Sequence, residues 1–225
     1  MNTLVQNNNL FIGDEKEITF LKNKDSARLL IVSDIHGNEE SFQTIIEKFG
    51  PTCDCLVSCG DGLGDLARLL SDAQDDDSLR CSIPSVIVAV KGNCDLEEEP
   101  VPHDPQKEVT CAKKVKVHSS EIFVAAKRTI FVTHGNKYHI ELGLDALISA
   151  AKKNKAHFAL FGHSHKAFYQ EIEGCAAINP GSCSSPRGGT EPSFAILNLL
   201  PQNEYKVQFF GIRNGDYGKK DFVIL

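Results

Sequence analysis

The 225-residue sequence predicts an α/β fold with two stacked β-sheets flanked by helices. From Arg28 onward, short apolar runs alternate with amphipathic segments, which is typical of buried strands followed by helices. The C-terminal third has a different rhythm, because short strand patterns follow one another with only Gly, Pro and Asn between them. These strands are too many, with too few crossover helices, for one open sheet, so two sheets are expected.

The elements follow in order along the chain. The first 27 or so residues are polar and weakly patterned, and we expect an extension on the domain edge with one short strand at EITFL. Strand runs and helical patterns then alternate. The strand LLIVS is followed by the helix SFQTIIEKF, the strand DCLVS by the helix LARLLSD, and the strand TIFVT by the helix LGLDALISAAKK, whereas SVIVAV and HFALF are strands without such a helix. The last strands are KAFYQEIEG, CAAINPG, SFAILNLL and YKVQFFGI. The region EVTCAKKVKVHS, preceded by VPHDP, is predicted to be an inserted excursion, and the acidic stretches DAQDDD and LEEEP are predicted to be solvated loops.

Length and charge limit the protein class. We predict one domain over residues 1–225, with an extension at 1–27, a core over about 28–200 and C-terminal strands at 201–225. A net charge of −6 argues against general nucleic-acid binding, which needs a basic surface. No apolar run approaches the roughly 18 residues of a membrane span, and MNTLVQNNNL does not resemble a secretory signal. A cytoplasmic protein with no membrane partner is therefore expected, and a homodimer is left open.

The eight cysteines are predicted to be reduced and mostly buried. The chain contains no CxxC spacing, and Cys53, Cys55, Cys59 and Cys81 lie in or beside apolar runs. In CDCLVSCGD the cysteines fall on a strand pattern, which favours core packing over a metal cluster.

Nearly every apolar strand run ends in a cluster of Asp, His, Asn and Gly. Five such clusters follow five strand runs: DIHGN at 34–38, GDG at 60–62, GN at 92–93, HG at 134–135 and GHSH at 162–165. Loops beyond the carboxyl ends of parallel strands collect at one edge of a sheet. The five segments are therefore expected to converge on one site.

The spacing within the clusters supports a shared site. Asp34 and His36 are two residues apart, as are His163 and His165, and on an extended segment such residues point to the same side. Adjacent glycines permit sharp turns and close approach of the backbone. Each piece alone has a simpler explanation: Asn38 as a helix N-cap, GD and GN as turns, and His134 as a buried structural histidine.

The ordered set SDIHGN, SCGDG, KGNCD, VTHG and FGHSH resembles the calcineurin-like metallophosphoesterases, whose blocks are DxH, GD, GN(H or C), H and GHxH. The sequence NPGS at 179–182, followed by Pro186 and Arg187, is similar to the small bacterial and archaeal YfcE-type branch. The resemblance covers about residues 29–199. It implies a four-layer αββα sandwich of two mixed β-sheets flanked by helices.

The resemblance also implies two divalent ions. One would be held by Asp34, His36, Asp61 and His165, and the other by Asp61, Asn93, His134 and His163, with Asp61 as the bridge. Oxygen and imidazole ligands without a thiolate favour Mn²⁺, Fe, Ni²⁺ or Zn²⁺, and Mn²⁺ is our expectation for activity. Two cations about 3.5 to 4 Å apart would lower the pKa of a bridging water, and the resulting hydroxide would attack phosphorus, with Asp61, Asn93 and His134 as catalytic residues.

Three further residues are candidates for substrate binding. They are Asn38, which we also expect to cap a helix, Cys94 and Arg187. Cys94 stands where the family often has a histidine that assists the leaving oxygen, and a cysteine cannot supply that cation. The alternative is that Cys94 is only a small packed residue. Arg187 could bind a substrate phosphate through its planar guanidinium, or be an ordinary surface arginine.

The resulting functional prediction is a metal-dependent phosphodiesterase acting on a small-molecule or nucleotide-like phosphate ester. One alternative is a non-catalytic scaffold on the same fold, like the retromer subunit that has lost metal-ligating histidines. Since this chain keeps all seven ligand positions, catalysis is favoured. Another alternative is a phosphomonoesterase or protein phosphatase, which the cysteine at position 94 makes less favourable.

Overall fold

The computed structural model describes residues 1–103, 112–215 and 219–225. In these residues the chain forms strands β1 (Ile12–Gly13), β2 (Ala27–Val32), β3 (Cys55–Ser58), β4 (Val86–Ala89), β5 (Glu98–Pro100), β6 (Lys114–Lys116), β7 (Ser120–Ala125), β8 (Arg128–Thr133), β9 (Phe158–Leu160), β10 (Ala167–Ile172), β11 (Cys175–Pro180), β12 (Ser193–Leu199), β13 (Tyr205–Asn214) and β14 (Lys220–Ile224). The α-helices are α1 (Glu15–Asn23), α2 (Glu39–Phe49), α3 (Leu63–Asp75), α4 (Asp77–Ser82) and α5 (Asp145–Lys153). Short 3-10 helices span Gly50–Thr52, Asn136–Tyr138 and Pro201–Asn203.

The strands form two large mixed sheets. The first has the order β1-β4-β3-β2-β12-β13-β14, in which β2, β3 and β4 are parallel and the remaining pairs are antiparallel. The second has the order β10-β11-β9-β8-β7, in which β9 is parallel to both of its neighbours. Strands β5 and β6 form a separate antiparallel pair.

The cores show how the layers stack. In β2, Leu29 and Ile31 belong to an apolar cluster shared with strands of the second sheet, whereas Leu30 and Val32 belong to a cluster shared with α2, α3 and α4. A third cluster joins α5 to the opposite face of the second sheet. Because successive side chains of a strand point to opposite faces, both faces of β2 are buried. The order helix, sheet, sheet, helix confirms the predicted four-layer αββα sandwich.

The N-terminal segment differs from its prediction. EITFL is part of α1 and not a strand, because Asp14 caps the helix by accepting a hydrogen bond from the Lys16 N–H at 2.7 Å. Two glutamates in the first turn also favour a helix there. The segment does pack on an edge, since β1 pairs with β4 and Leu21 lies in the core between the sheets.

Two acidic stretches predicted as loops are largely regular structure. DAQDDD contains the end of α3 and the start of α4, and the Asp76 carboxylate caps α4 by accepting from the Ser78 and Leu79 N–H groups. LEEEP contributes β5, which pairs with β6 from the predicted excursion. Residues 104–111 of that excursion lie outside the described residues. Strand β7 was not anticipated, and it forms an edge of the second sheet.

The prediction that most cysteines are buried is confirmed for the described residues. All seven cysteines there are free, and five of them are buried: Cys53, Cys55, Cys59, Cys175 and Cys183. Burial raises the pKa of the Cys183 thiol to about 12, so this thiol stays protonated at neutral pH. In the part of the chain that the structure describes, no helix combines the length and apolarity needed to cross a membrane.

Candidate metal centre

The predicted ligands follow the carboxyl ends of strands in both sheets. Asp34, Asp61 and Asn93 come after the parallel strands β2, β3 and β4 of the first sheet. His134 follows β8, and the pair His163 and His165 follows β9, in the second sheet. The site therefore lies where the two sheets end side by side.

One group of donor atoms consists of Asp34, His36 and His165, all within 4.8 Å of one another. His165 Nε2 lies 3.1 Å from Asp34 Oδ1 and 3.3 Å from His36 Nε2. His36 Nε2 is 3.9 Å from both Asp34 Oδ1 and Asp61 Oδ2. A carboxylate and two imidazoles at these distances could hold a divalent ion.

A second group consists of Asp34, Asp61 and His134, and all three are buried. His134 Nε2 lies 3.3 Å from Asp61 Oδ2 and 3.8 Å from Asp34 Oδ1. Asp61 Oδ2 is thus close to an imidazole of each group, which is the position expected of a bridging ligand. Assignment of each residue to a particular ion stays a prediction.

The backbone contacts of two histidines determine which ring nitrogen faces the carboxylates. His134 Nδ1 is 2.8 Å from the Cys59 carbonyl, and His165 Nδ1 is 2.5 Å from the Ser185 carbonyl. A carbonyl only accepts hydrogen bonds, so Nδ1 carries the proton in both rings. When the rings are neutral, each Nε2 therefore presents a lone pair to carboxylate oxygens.

That arrangement is electrostatically unfavourable unless a cation or a proton lies between the groups. Among the described residues, Asp34 Oδ1 and His134 Nε2 are fully buried yet have no hydrogen-bond partner of acceptable geometry. Buried polar atoms of this kind are rare in folded proteins, and a bound cation would satisfy both. The donor set and its unpaired atoms fit divalent metal ions.

The same contacts change the protonation of these groups. Burial by itself would raise the pKa of Asp61, but the adjacent His134 imidazole and the hydrogen bond from the Cys94 N–H outweigh it and hold this pKa well below its usual range. Burial by itself would lower the pKa of His134, yet the Asp61 and Asp34 carboxylates raise it. Burial raises the pKa of Asp34. The three groups are thus strongly coupled, and Asp61 is held ionised.

The backbone at the ligands is not extended, contrary to our expectation. Five of the predicted ligand residues have left-handed backbone angles: Asp34 (φ 53°), His36 (φ 48°), Asp61 (φ 54°), His163 (φ 66°) and His165 (φ 58°). Non-glycine residues seldom adopt this conformation, and it concentrates at functional sites. Asp34 and His36 still converge, because the turn between them redirects the chain.

Two glycines allow the loops to touch. A Cβ on Gly92 would lie 2.0 Å from Asp61 Oδ1, and a Cβ on Gly162 would lie 1.8 Å from Ser33 Oγ and 2.8 Å from Asp34 Oδ2. No larger residue fits at either position without moving a ligand. The predicted close approach of backbone to the site is confirmed at these two glycines.

Asp95 organises the loops, and we did not predict this role from the sequence. Its carboxylate accepts hydrogen bonds from the N–H groups of Asp61 at 2.7 Å, Gly62 at 3.1 Å, Leu63 at 3.0 Å and Gly92 at 2.9 Å. It joins the GDG loop to the GN loop and caps the start of α3, where Gly62 has no side chain to do so. The available signal was an acidic residue directly after GNC.

The NPGS motif and the residues after it form hydrogen bonds with the backbone of two site loops. The Ser182 hydroxyl donates to the Asp34 carbonyl at 2.6 Å, and the Ser184 hydroxyl lies 3.3 Å from the same oxygen. The Asn179 amide donates to the Gly162 carbonyl at 2.7 Å. These contacts tie the DIH loop and the GHSH loop to one short segment.

Asn93 and Cys94 lie at the exposed rim. The Asn93 amide nitrogen is 3.2 Å from Cys94 Sγ, and the Cys94 N–H donates to Asp61 Oδ1 at 2.7 Å. Cys94 Sγ also lies within 4.8 Å of the donor atoms of His36 and Asp61. Burial, followed by the Asp61 carboxylate, raises the pKa of Cys94, so its thiol is neutral in the metal-free protein.

The other predicted residues are less central. Asn38 caps α2, as expected, by accepting from the Ser41 N–H at 3.1 Å. The Arg187 side chain is exposed, and the backbone N–H of Arg187 donates to the His165 carbonyl at 3.2 Å. The His163 ring lies 5.1 Å from that of His134, centroid to centroid, but its Nε2 contacts Glu141, which we did not anticipate. His157 is structural, because its Nδ1 accepts from the Thr129 N–H.

The sequence is similar to that of known proteins. Residues 28–201 match the model of the calcineurin-like phosphoesterase superfamily domain. The chain is 32% identical over 173 residues to the probable metallophosphoesterase YsnB of Bacillus subtilis, which covers 76% of this chain and 83% of that protein. It is 27% identical over 178 residues to the phosphodiesterase YfcE of Escherichia coli K12, which covers 76% of this chain and 87% of that protein.

The fold also matches a solved structure. The chain superimposes on a single mutant of Vps29 from Entamoeba histolytica with a TM-score of 0.57 and 19% identity, covering 88% of this chain and 99% of that one. At this level of identity the similarity concerns the fold alone.

Proposed function

The chain belongs to the calcineurin-like phosphoesterase superfamily, and from that premise we propose that it is a phosphodiesterase that hydrolyses a small-molecule or nucleotide-like phosphate ester with two bound divalent ions, Mn²⁺ in the active form. One observation carries the proposal. The Nε2 lone pairs of His134 and His165 face the carboxylates of Asp34 and Asp61, an arrangement that a cation would stabilise.

The proposed ligands are those of the family pattern. Asp34, His36, Asp61 and His165 would hold one ion, and Asp61, Asn93, His134 and His163 the other. When bound, such ions act as Lewis acids that withdraw charge from phosphoryl oxygens and lower the pKa of water. The chain's own contribution is to hold the donors in place and to keep imidazole protons on the nitrogens that face away from the centre. Since Asn93 is neutral, the site keeps more positive charge for an anionic substrate.

Cys94 favours a diester over a monoester. Its neutral thiol lies close to the donor atoms of His36 and Asp61, so it offers no positive charge to a departing alkoxide. Substrates whose leaving groups need little assistance are therefore favoured. The similarity to YfcE, a phosphodiesterase, supports the same choice.

The decisive experiment is a panel of divalent metals with bis-p-nitrophenyl phosphate and p-nitrophenyl phosphate. We expect Mn²⁺-dependent cleavage of the diester, little cleavage of the monoester, and loss of activity after chelation. Asp61→Asn should abolish turnover, whereas Asp77→Asn, at an exposed position in the first turn of α4, should leave it unchanged. Preferential cleavage of the monoester would contradict the diester assignment.

A non-catalytic scaffold is the second candidate, and the similarity in fold to Vps29 is the observation that favours it. A folded protein that shows no turnover with any metal, under conditions in which it binds metal, would support the scaffold and overturn the proposed activity.

A further inference from the structure

We propose that Glu141 is a positioning residue of the metal centre, which holds the His163 imidazole so that its Nδ1, and not its Nε2, is the nitrogen that binds a divalent ion. This inference rests on the proposed function, because it assumes that His163 is a metal ligand. It adds a residue that lies outside the family motifs quoted above.

The contact itself determines the tautomer. The Glu141 carboxylate makes a close hydrogen bond with His163 Nε2. An ionised carboxylate only accepts, so Nε2 must carry the proton and donate it. In a neutral ring, Nδ1 then carries the lone pair, and this is the nitrogen that remains for a metal.

The three buried or half-buried histidines of the centre therefore follow two patterns. His134 and His165 each donate from Nδ1 to a backbone carbonyl and present Nε2. His163 donates from Nε2 to a side-chain carboxylate and presents Nδ1. A carboxylate partner increases the basicity of an imidazole ligand more than a carbonyl does, because it stabilises positive charge on the ring. The ion held by His163 should therefore depend on Glu141.

The loop that carries Glu141 is built to hold it in place. After Gly135 (φ 109°) the chain makes a 3-10 turn, which ends at His139 in the left-handed conformation (φ 50°). The Ile140 side chain packs against Gly135, since a Cβ there would lie 3.1 Å from Ile140 Cδ1. The Tyr138 ring packs edge-on against Phe131 at 5.9 Å. Glu141 is thus fixed relative to the backbone that also presents His134.

Glu141 contacts His163 from an exposed position at the edge of the centre. The side chain is 53% exposed, so substitution should not disturb the core. Metal binding and folding can therefore be separated experimentally at this position.

The test uses Glu141→Ala, Glu141→Gln and a control, Glu173→Gln. Glu173 is also exposed, and it pairs with Lys152 away from the centre. In the metal-free protein, ¹⁵N NMR of the imidazoles, assigned with a His163→Asn variant, should show His163 protonated at Nε2. Glu141→Ala should shift this ring toward a mixture of tautomers, and the control should not.

Calorimetric titration with Mn²⁺ supplies the second measurement. The native protein should bind two ions, and Glu141→Ala should weaken one of them by about 10 to 100-fold while the other is unchanged. Glu141→Gln, which keeps an acceptor but loses the charge, should lie between the two. Since glutamine keeps the size of the side chain, an intermediate affinity would show that the charge of Glu141 contributes to metal binding and that lost packing is not the cause.

The outcomes distinguish this inference from the function on which it rests. If the native protein binds no divalent ion, the proposed function fails. If it binds two ions and Glu141→Ala binds both equally well, the role of Glu141 is overturned and the proposed function stands. Protonation of native His163 at Nδ1 would also overturn it.

Discussion

At the scale of single residues, Asp61 and His134 control each other's protonation. They share the buried floor of the candidate metal centre, 3.3 Å apart, and neither is exposed to solvent. The pKa of Asp61 is lowered and that of His134 is raised, because each group stabilises the charged form of the other. In the absence of a metal ion, the protonated imidazole supplies the positive charge beside the carboxylate. A proton and a metal ion are therefore alternative occupants of the space between them.

We expect the stability of the metal-free protein to fall as pH rises from about 6 to 8.5. A histidine with a raised pKa contributes stability that is present below its unfolded value, about 6.5, and is lost as pH rises through the folded pKa. Asp34, whose pKa is also raised, acts in the same direction. Asp61 acts at acid pH, where its contribution is lost as pH falls below about 4.

Urea unfolding at both pH values, in the presence of a chelator, measures this effect. His134→Gln should show a smaller decrease in the free energy of unfolding between pH 6 and 8.5, and His157→Gln should show the native decrease. With saturating Mn²⁺ the trend should reverse, because the ion requires an unprotonated His134. If His134→Gln lost as much stability between pH 6 and 8.5 as the native protein does, His134 would not be the group whose raised pKa causes the loss.

At the scale of elements, Asp95 connects its own loop after β4 to the distant loop after β3 and the start of α3. Its carboxylate binds the N–H groups of the loop after β3, the start of α3 and the loop after β4. Each of these N–H groups would otherwise need another partner, since N–H groups at a helix start have none within the helix. The relative position of Asp61 and Asn93 therefore depends on this one side chain.

Asp95→Asn should reduce the free energy of unfolding by about 1–3 kcal/mol. An asparagine oxygen can replace only part of the carboxylate, and its amide group would face N–H donors. Chemical denaturation measures the loss, and Asp77→Asn serves as an exposed control with little effect. A native unfolding midpoint for the Asp95 variant would show that the loops do not rely on this carboxylate.

Helix α1 is an integral part of the packing and not an appendage. Leu21 is 3% exposed and lies in the core between the sheets, in the same cluster as Phe123 of β7. The Ala126 N–H donates to the Leu21 carbonyl at 2.9 Å. The helix thus covers one side of the sandwich.

Leu21→Ala should therefore cost about 2–5 kcal/mol of stability, as for other buried leucines. Leu142→Ala is a matched control, because Leu142 is 90% exposed and its loss should change stability by no more than about 0.5 kcal/mol. Equal stability of the two variants, measured by urea unfolding, would mean that the N-terminal segment contributes nothing to the core.

At the scale of the whole molecule, the candidate ligands come from both sheets. Asp34, Asp61 and Asn93 follow strands of the first sheet, whereas His134, His163 and His165 follow strands of the second. An ion held by both sets would link the two sheets at the edge where their loops meet. Metal binding should therefore stabilise the entire sandwich.

A thermal scan tests this expectation. Mn²⁺ at 100 times its dissociation constant should add about 2.7 kcal/mol of stability, which corresponds to a rise in Tm of roughly 5–10 °C for a chain of this size. Chelation should remove the gain, and Asp61→Asn should reduce it. An unchanged Tm in the native protein would contradict a metal held between the sheets.

The candidate ligands, their order along the chain and the strands that they follow could all be predicted from local sequence patterns. Buried strands and capped helices have local signatures, so LLIVS and SFQTIIEKF could be assigned, together with the cap at Asn38. At EITFL the local signals conflicted, since an apparent strand pattern follows an N-cap and an acidic first turn, and the segment is helical. Strands β5 and β6 were missed because each has only three residues and acquires its conformation from its partner strand. Strand β7, with six residues, was missed because it directly follows the predicted excursion.

Three features became visible only in the folded chain: which nitrogen of His134 and His165 faces the centre, which backbone turns bring the candidate ligands together, and which carboxylates contact them. Asp95 bonds to Asp61 from 34 positions away, and Glu141 contacts His163 from 22 positions away. Such contacts depend on how separate loops meet at the end of two packed sheets. No pattern within one short segment can specify them, because the partner of each donor is set by the packing of the whole chain.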